Sequence, residues 1–479
     1  MKRRLTLLTL LMLGLSGCSL APPYQPPAIN TAQQYKEAGQ WIPARSSTPA
    51  GDWWTAFGDA RLDALETLAA QANQNIAAAA ARVDEARAIA RASDATLYPD
   101  VTAYAQHTDN RMSQGRPLFP STVPRNWRDN QLGVDLGYEL DVWGRLRNAA
   151  RAAGALAIAS EDDLAAATLS SQAELAMDYF NLRGVDTQLA LIDQLIANWH
   201  DNLDLTQQMF DRGNANQTDL AQAAFALQNQ ITQQAELRLQ RGQLEHAIAL
   251  LCGQPPSGFS IAPGDPAFDI RVARPDPGLP STLLQRRPDI AAAERRMAAA
   301  NATIGVARAA FFPVFSLNAS AGFESTTLNN LLTAPNRFWS VGPGAAMVLF
   351  DGGQLAALSD QAQAAWRESV ANYRNSVLSA WRDVEDSLSS LHELDDESQT
   401  ALGAQHAAQQ ALEQMQYRYR AGVVSELDVL TATRQATQAK LTATAIHMRQ
   451  VTADIVLVKA LGGGWQSRTL AAFQGNSTP

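Results

Sequence analysis

Two aspartates stand at equivalent places in two copies of one short sequence pattern. In each copy an aromatic residue precedes a glycine by three positions and an aspartate follows that glycine by six, and the copies lie 209 residues apart. The members are Phe210, Gly213 and Asp219 in the first copy, and Tyr419, Gly422 and Asp428 in the second. Glycine can take the positive φ that ends a helix, and a carboxylate near the start of the next helix is electrostatically favourable. The pattern predicts one helix turn that is used twice, with an acidic group beside it that can attract cations.

No catalytic or metal-binding pattern accompanies these aspartates. The sequence contains no G-x-S-x-G and no H-E-x-x-H motif, and its six histidines lack the spacing of metal ligands. Gly462-Gly463-Gly464 follows a helical segment, which is the position of a helix end and not of a phosphate-binding loop. The net charge of −9 disfavours nucleic acid as a partner. We therefore expect no enzyme activity, no metal, no cofactor and no nucleic acid.

The N-terminus predicts export and a lipid anchor. A basic start and an apolar stretch at 5–15 are typical of a secretory signal, and the stretch is too short to span a membrane. The signal ends in Leu15-Ser16-Gly17-Cys18, which resembles the bacterial lipobox. That resemblance implies that Cys18 becomes the first mature residue and carries the acyl chains, and that Ser19 directs the protein to the outer membrane. Cys252 then has no partner cysteine, and we expect it to be a buried structural thiol.

The remaining chain is organised as two repeats of the same order of elements: helix, two strands, a long helix and a shorter helix. The predicted boundaries are a signal peptide at 1–17, a lipidated tether and equatorial segment at 18–61, repeat 1 at 62–253, a crossover at 254–280, repeat 2 at 281–464 and a tail at 465–479. Repeat 1 is predicted to contain strands at about 100–109 and 130–142, a long helix at 144–211 and a helix at 218–252. Repeat 2 is predicted to contain strands at about 314–324 and 338–350, a long helix at 353–420 and a helix at 426–461.

The predicted strands alternate between two faces. The clearest run places Leu132, Val134 and Leu136 on one face against Gly133 and Asp135 on the other. Alternation alone fits a soluble sheet as well as a membrane barrel, but a run of ten or more residues matches the ~9–11 needed to cross a bilayer. Three aromatic residues stand where a membrane-interface girdle would lie, namely Tyr98, Trp127 and Trp143.

The predicted long helices and strands both require further copies of the chain. A helix over 144–211 would be about 100 Å long at ~1.5 Å per residue, which exceeds the helices of globular domains. A four-stranded sheet in lipid would leave two edges whose backbone groups have no partners. Two copies would give eight strands with a filled interior, whereas three would give twelve strands and an open lumen. The small residues on the inner faces favour the trimer, with the helices forming a tube on the periplasmic side.

The chain resembles the TolC/OprM-type outer membrane factors, and in particular the NodT-like lipoprotein branch that serves RND drug-efflux pumps. The residues that carry the resemblance are Trp53-Trp54 with Phe57-Gly58-Asp59, Arg286-Arg287-Pro288-Asp289-Ile290, Ala307-Arg308-Ala309-Ala310-Phe311-Phe312-Pro313, Leu349-Phe350-Asp351-Gly352-Gly353 and Lys459-Ala460-Leu461-Gly462-Gly463-Gly464-Trp465. The resemblance implies a mainly α-helical chain that forms a trimeric 12-stranded barrel, with four strands per chain, continued by a long periplasmic α-helical barrel. It also implies a periplasmic adaptor and an inner-membrane RND-type transporter as partners.

The resemblance also implies a function for the repeated turn. In that family the tip of the helical barrel closes as an iris, using aromatic, basic and acidic residues beside the turns. The matching positions are Phe210, Gly213, Asp219, Tyr419, Arg420, Gly422 and Asp428. Two positions depart from the pattern, because Val424 stands where some members have an arginine and Thr431 where some have a second aspartate.

Two alternatives share many of these features. An exit duct for type I protein secretion has the same fold, although the lipobox disfavours it. A periplasmic coiled-coil scaffold lipoprotein without a pore would account for the helices and the anchor, but not for four alternating strands that pair by repeat. The sequence therefore favours an outer membrane exit channel for drugs or other small molecules, and it leaves the cargo open.

Overall fold

The computed structural model describes residues 19–38, 51–113, 115, 125–264 and 280–465. Cys18 and most of the predicted C-terminal tail lie outside these ranges. The described chain is mainly helical with four strands, as the sequence predicts. The α-helices are α1 (Ala60–Ala72), α2 (Gln74–Ala95), α3 (Arg145–Asp211), α4 (Gln217–Leu251), α5 (Leu283–Arg286), α6 (Pro288–Ala309), α7 (Gln354–Arg420) and α8 (Glu426–Ala460). The strands are β1 (Asp100–Arg111), β2 (Asn126–Leu140), β3 (Val314–Ser325) and β4 (Arg337–Ala346).

The four strands form one antiparallel sheet in the order β1-β2-β3-β4, so β1 and β4 are its edges. Strand β2 begins four residues before the predicted range 130–142, because its first residues pair with the end of β1. Strand β4 ends at Ala346 and not at 350, because Ala346 pairs with Val314, the first residue of β3. The residue before Val314 is Pro313, which has no backbone N–H with which to extend the ladder.

The helix that the sequence predicts at the start of each repeat is interrupted. In repeat 1 the segment 62–97 is not one helix, since Asn73 has an extended backbone between α1 and α2. Its side-chain oxygen accepts hydrogen bonds from the backbone N–H groups of Asn75 and Ile76, at 2.8 and 3.1 Å, and this caps a new helix. The segment 281–311 is likewise divided, because Arg287 is extended and Pro288 begins α6.

The chain divides into two compact units. The first comprises Met1–Ala28, Arg82–Ser160 and Ala292–Arg374, and it contains the sheet. The second comprises Ile29–Ala81, Glu161–Ala291 and Asn375–Pro479, and it contains both repeated turns.

The second unit is built on a core of aromatic side chains from the Trp-Trp motif. Trp53 and Phe57 are buried, and the ring of Phe57 lies 4.9 Å from that of Phe180 on α3. Asp59 accepts hydrogen bonds from two N–H groups in the first turn of α1 and a third from the hydroxyl of Tyr179, at 2.6 Å. One carboxylate therefore caps a helix and joins it to α3.

The Arg-Arg-Pro-Asp motif joins α6, α7 and α8 within the same unit. The guanidinium of Arg287 donates two hydrogen bonds to Asp289, at 3.0 and 2.7 Å, which is the bidentate geometry of a strong ion pair. It also donates to Asp383 on α7 and to the carbonyl of Ala460 at the end of α8. A side chain at Gly462 would collide with the carbonyl of Arg286, so the closing glycines pack directly on this motif.

In the first unit the proline-rich tether is docked along α6. Ser19 donates to Asn148 in the first turn of α3 at 3.0 Å, and Asn301 donates to the carbonyl of Pro22 at 2.9 Å. The hydroxyl of Tyr24 donates to the carboxylate of Glu294. The tether therefore runs along α6 as an ordered strap whose first described residue lies beside the start of α3.

A buried acid lies in the core of the second unit. Glu66 on α1 is 1 % exposed, and neither of its carboxylate oxygens has a hydrogen-bond partner among the described residues. Burial, and then the charge of Asp63 one turn earlier, raise its pKa to about 9. Cys252 is fully buried near Glu66, as predicted, and burial raises the pKa of its thiol to about 11. Glu66 is therefore neutral at neutral pH.

We expect Glu66 to make this protein less stable as the pH rises. The folded state retains a proton that the unfolded state releases above its ordinary pKa of 4.5, so stability falls between about pH 4.5 and 9. Replacing Glu66 by Gln or Leu removes this loss, which amounts to about 3 kcal/mol at pH 7. The measurement is the thermal unfolding midpoint by circular dichroism at pH 5, 7 and 9.

Glu85→Gln on α2 is the matched control, because Glu85 is exposed. It should unfold like the native protein at each pH. Equal pH dependence in the native protein and in Glu66→Gln would contradict the assignment.

Candidate functional site

The two repeated turns have the same backbone geometry. Gly213 and Gly422 have φ values of 76° and 73°, in the left-handed region that favours glycine. In the first turn the N–H groups of Gly213 and Asn214 donate to the carbonyls of Phe210 and Met209, at 2.9 and 2.8 Å. In the second turn Gly422 and Val423 donate to Tyr419 and Arg418, both at 2.9 Å. Both long helices therefore end in a Schellman motif, and the aromatic residue three places before the glycine accepts one of its two hydrogen bonds.

Each predicted aspartate is the third residue of the next helix and forms a capping box. The side chain of Asp219 accepts from the backbone N–H of Asn216 at 3.0 Å, and the side chain of Asn216 accepts from the N–H of Asp219 at 3.0 Å. Asp428 and Ser425 repeat this exchange, at 2.9 and 3.3 Å, and the Ser425 hydroxyl donates a further bond to Asp428 at 2.7 Å. Both aspartates thus begin a helix as well as carrying a charge.

These contacts keep Asp428 ionised in a single chain. Hydrogen bonds from the side chain and then the backbone of Ser425 hold the pKa of Asp428 below its ordinary value, and the nearby charge of Arg418 acts in the same direction. Asp219 and Asp428 are both exposed. Each turn therefore presents an exposed carboxylate that its capping box fixes in position.

The other predicted gate residues lie on the surface. Tyr419 is 44 % exposed, Arg420 is exposed, and Phe210 is half-buried. Within the described part of the chain, no hydrogen bond or ion pair joins residues of one turn to residues of the other. The contacts of one chain therefore stabilise each turn separately, and Tyr419 and Arg420 remain exposed in it.

The sequence analysis did not predict a contact that joins α3 to α8. The guanidinium of Arg434 stacks on the ring of Trp199, with its central carbon 4.0 Å from the ring centroid. Arg434 also donates to the hydroxyl of Thr431 at 3.0 Å, and burial lowers the pKa of Arg434 from its ordinary value. The spacing of three between Thr431 and Arg434 on one helix was the signal in the sequence for this contact.

This contact joins a helix of repeat 1 to a helix of repeat 2, and the equivalent pair of helices, α7 and α4, does not repeat it. The positions 209 residues away from Trp199 and Arg434 are occupied by Ala408 and Phe225, which cannot form the same stack. The stack therefore distinguishes the α3 and α8 pairing from its counterpart in the other repeat.

No group of three or more His, Cys, Asp or Glu side chains is arranged to hold a metal ion in the described part of the chain. No helix of the described chain is both long enough and apolar enough to cross a membrane.

The sequence matches the family described as outer membrane efflux protein over residues 65–254 and 279–463. The chain belongs to the outer membrane efflux protein family. The cation efflux system protein CusC of Escherichia coli is 29 % identical to it, over 95 % of this chain and 97 % of that protein. The toluene efflux pump outer membrane protein TtgC of Pseudomonas putida is 30 % identical, over 96 % and 95 %.

Solved structures of this family share the fold. The open state of the MtrE outer membrane channel of Neisseria gonorrhoeae superposes with a TM-score of 0.82 at 27 % identity, over 94 % of this chain and 99 % of that one. The efflux protein described here is accordingly an outer membrane component of an efflux system, with its helical barrel in the periplasm. Its family consists of channel and transport proteins and not of enzymes.

We expect the charge of Asp428, and not its capping role, to govern cations at the turn. Asp428→Asn removes the charge but can keep a capping hydrogen bond, whereas Ser425→Ala removes the cap and keeps the charge. Asp428→Asn and Asp428→Ala should weaken block by hexaamminecobalt(III) in planar bilayers. Ser425→Ala should be blocked as the native channel is.

Equal block in the native channel and in Asp428→Asn would remove Asp428 from the ion path. Loss of block in Ser425→Ala would instead show that turn geometry is decisive.

Proposed function

We propose that three copies of this efflux protein close into a 12-stranded barrel, and that this barrel is the exit through which drugs or other small molecules leave the cell. The observation that carries the proposal is the four-stranded sheet with two open edges. β1 and β4 each have a neighbour on one side only. In hydrocarbon their free N–H and C=O groups cannot be hydrated, so β4 of one copy must pair with β1 of the next.

The two faces of the sheet support this arrangement. The face that contains Leu132 also contains Trp339 and Val341, which are 77 % and 59 % exposed in one chain. Such large exposed apolar side chains are stable against lipid and not against water. The opposite face carries small and polar residues, among them Gly133 and Ser320, which leave room for a lumen.

One aromatic residue of the expected girdle lies on the wrong face. Trp127 pairs with Asn110 and shares the polar face of Gly133, so its predicted place in a lipid-facing girdle is wrong. Trp143 stacks on Phe312 with ring centroids 4.7 Å apart, and its ring N–H donates to the carbonyl of Pro313 at 2.8 Å. Trp143 therefore fixes the junction between the sheet and the helices.

The partners follow from the same proposal. A channel whose long helices extend into the periplasm can receive cargo from a periplasmic adaptor and an inner-membrane transporter of the RND type. The efflux relatives favour an efflux channel over a type I secretion duct. The membrane-length sheet disfavours a scaffold without a pore. The names of CusC and TtgC refer to cations and to toluene, so they support efflux without defining one cargo.

The proposed channel function is tested with purified full-length protein. We expect trimers that resist detergent until heated, and single-channel currents in planar bilayers that increase when the turns are altered. A protein that never conducts, even with Asp219 and Asp428 both replaced, would contradict the proposal.

The lipid anchor at Cys18 is part of the proposal. The strap places Ser19 beside Asn148, at the start of the helix that follows β2, so acyl chains on the preceding residue would lie close to the strand ends. A protein with two or three acyl chains binds a membrane stably, whereas one chain alone binds reversibly.

We expect Cys18→Ser to abolish acylation, because serine offers no thiol for the lipid. The measurement is incorporation of radiolabelled fatty acid into the immunoprecipitated protein. Cys252→Ser is the matched control and should still be labelled, since Cys252 is buried. Label in Cys18→Ser would refute the assignment.

A further inference from the structure

One row across the sheet differs from every other row on the polar face. The register aligns Tyr104, Gly133, Gly322 and Phe338 on β1, β2, β3 and β4, respectively. Two aromatic rings at the outer strands thus flank two glycines at the inner strands. We call these four residues the aromatic row.

Each of the two rings packs against the neighbouring glycine, Tyr104 against Gly133 and Phe338 against Gly322. A Cβ added to Gly133 would come within 2.8 Å of the ring carbon Cζ of Tyr104, and one added to Gly322 would come within 3.0 Å of a ring carbon of Phe338. Gly133 is buried by this contact, while both rings remain half-buried. Each ring therefore covers backbone with one face and leaves part of its surface open on the polar side of the sheet.

The charges of the polar face are all negative. Alternate positions along the four strands place five carboxylates on it, and every Arg of the strands lies on the other face. The carboxylates are Asp100, Asp129, Asp135, Glu139 and Glu324, and the arginines of the apolar face are Arg111, Arg128 and Arg337. In a closed barrel the polar face is the lumen, so its potential is negative around the rings.

Two of these carboxylates adjoin the aromatic row. Asp135 follows Gly133 by two residues on β2, and Glu324 follows Gly322 by two on β3, so each lies about 7 Å from the row and on opposite sides of it. Both are exposed, and neither carboxylate has a hydrogen bond or an ion pair within the described residues. By contrast, Glu139 forms an ion pair with Arg145 at 2.6 Å.

We propose that the aromatic row, with Asp135 and Glu324, is a contact site for aromatic cations that pass through the lumen. The site rests on the proposed trimeric channel, which makes the polar face the lumen wall and repeats the row three times. Open ring surface attracts flat apolar groups and positive charge, and the unpaired carboxylates add long-range attraction. A neutral or anionic cargo would have only part of these interactions.

The test measures binding of ethidium, a flat aromatic cation, to full-length trimers in lipid nanodiscs by fluorescence anisotropy. The double variant Tyr104→Leu with Phe338→Leu keeps apolar cover over the glycines but removes the rings. We expect it to bind ethidium roughly tenfold more weakly. Asp135→Asn with Glu324→Gln should also weaken binding, and the difference from the native protein should shrink at high salt.

Trp339→Leu is the matched control, because Trp339 is next to Phe338 and points to the apolar face. It should bind ethidium as the native protein does. Heat stability of the trimer on gels shows separately whether the leucines preserve the sheet.

Three results would overturn the site. Unchanged ethidium binding in the heat-stable leucine variant would show that the rings only pack on the glycines and do not bind the probe. An equal loss in Trp339→Leu would show that the probe binds elsewhere. In both cases conducting native trimers would leave the channel itself intact, whereas native protein that forms no trimer and no current would overturn the channel and the site together.

Discussion

A backbone group in hydrocarbon must find its hydrogen bond within the protein, and this constraint governs the whole efflux protein. The sheet satisfies it everywhere except along β1 and β4. Because two strands per repeat and two repeats per chain still leave those edges, the chain reaches its functional form only together with other copies. The apolar face, the small residues of the polar face and the helices that follow each hairpin are all consequences of a sheet that must be completed in this way.

Away from the sheet, capping hydrogen bonds fix the positions at which several helices begin. The side chains of Asp59, Asn73, Asp219 and Asp428 each accept a hydrogen bond from a backbone N–H group at a helix start. The aspartates at the turns are therefore structural and electrostatic at once, and substitutions at the aspartate and at its partner residue are both needed to separate the two roles. Arg287 plays a comparable part at the other end of the second unit, where one guanidinium connects three helices.

Local patterns in the sequence predicted the elements because their signals are local. Alternation along Leu132 and Val134, and glycine at the helix ends, identified strands and turns without knowledge of the fold. The break at Asn73 was missed because the surrounding alanine-rich sequence favours helix on average, while a single side chain makes the cap. The face of Trp127 was readable from its odd-numbered position, since the apolar face that contains Leu132 has the even-numbered positions of β2.

The contacts that were not predicted join distant parts of the chain. Trp199 and Arg434 meet only because α3 and α8 pack in one particular register, which no local pattern encodes. The aromatic row required the pairing of four strands, and a shift by one residue would have moved its rings to the other face. The environment of Glu66 likewise depends on tertiary burial, although its spacing from Leu62 and Ala69 places it on the buried face of α1.

The docked strap bears on how the two repeats have diverged. The two repeats contain the equivalent helices α2 and α6. The chain has a single N-terminal strap, which can cover only one of these helices. Gly305 lies on α6, eight residues before Pro313, and any side chain there would collide with the strap at Ala21. The equivalent position on α2, eight residues before Pro99, is the exposed and charged Arg91. A side chain tolerated at this position of α2 is therefore excluded at the equivalent position of α6, so the two helices accept different residues along this face.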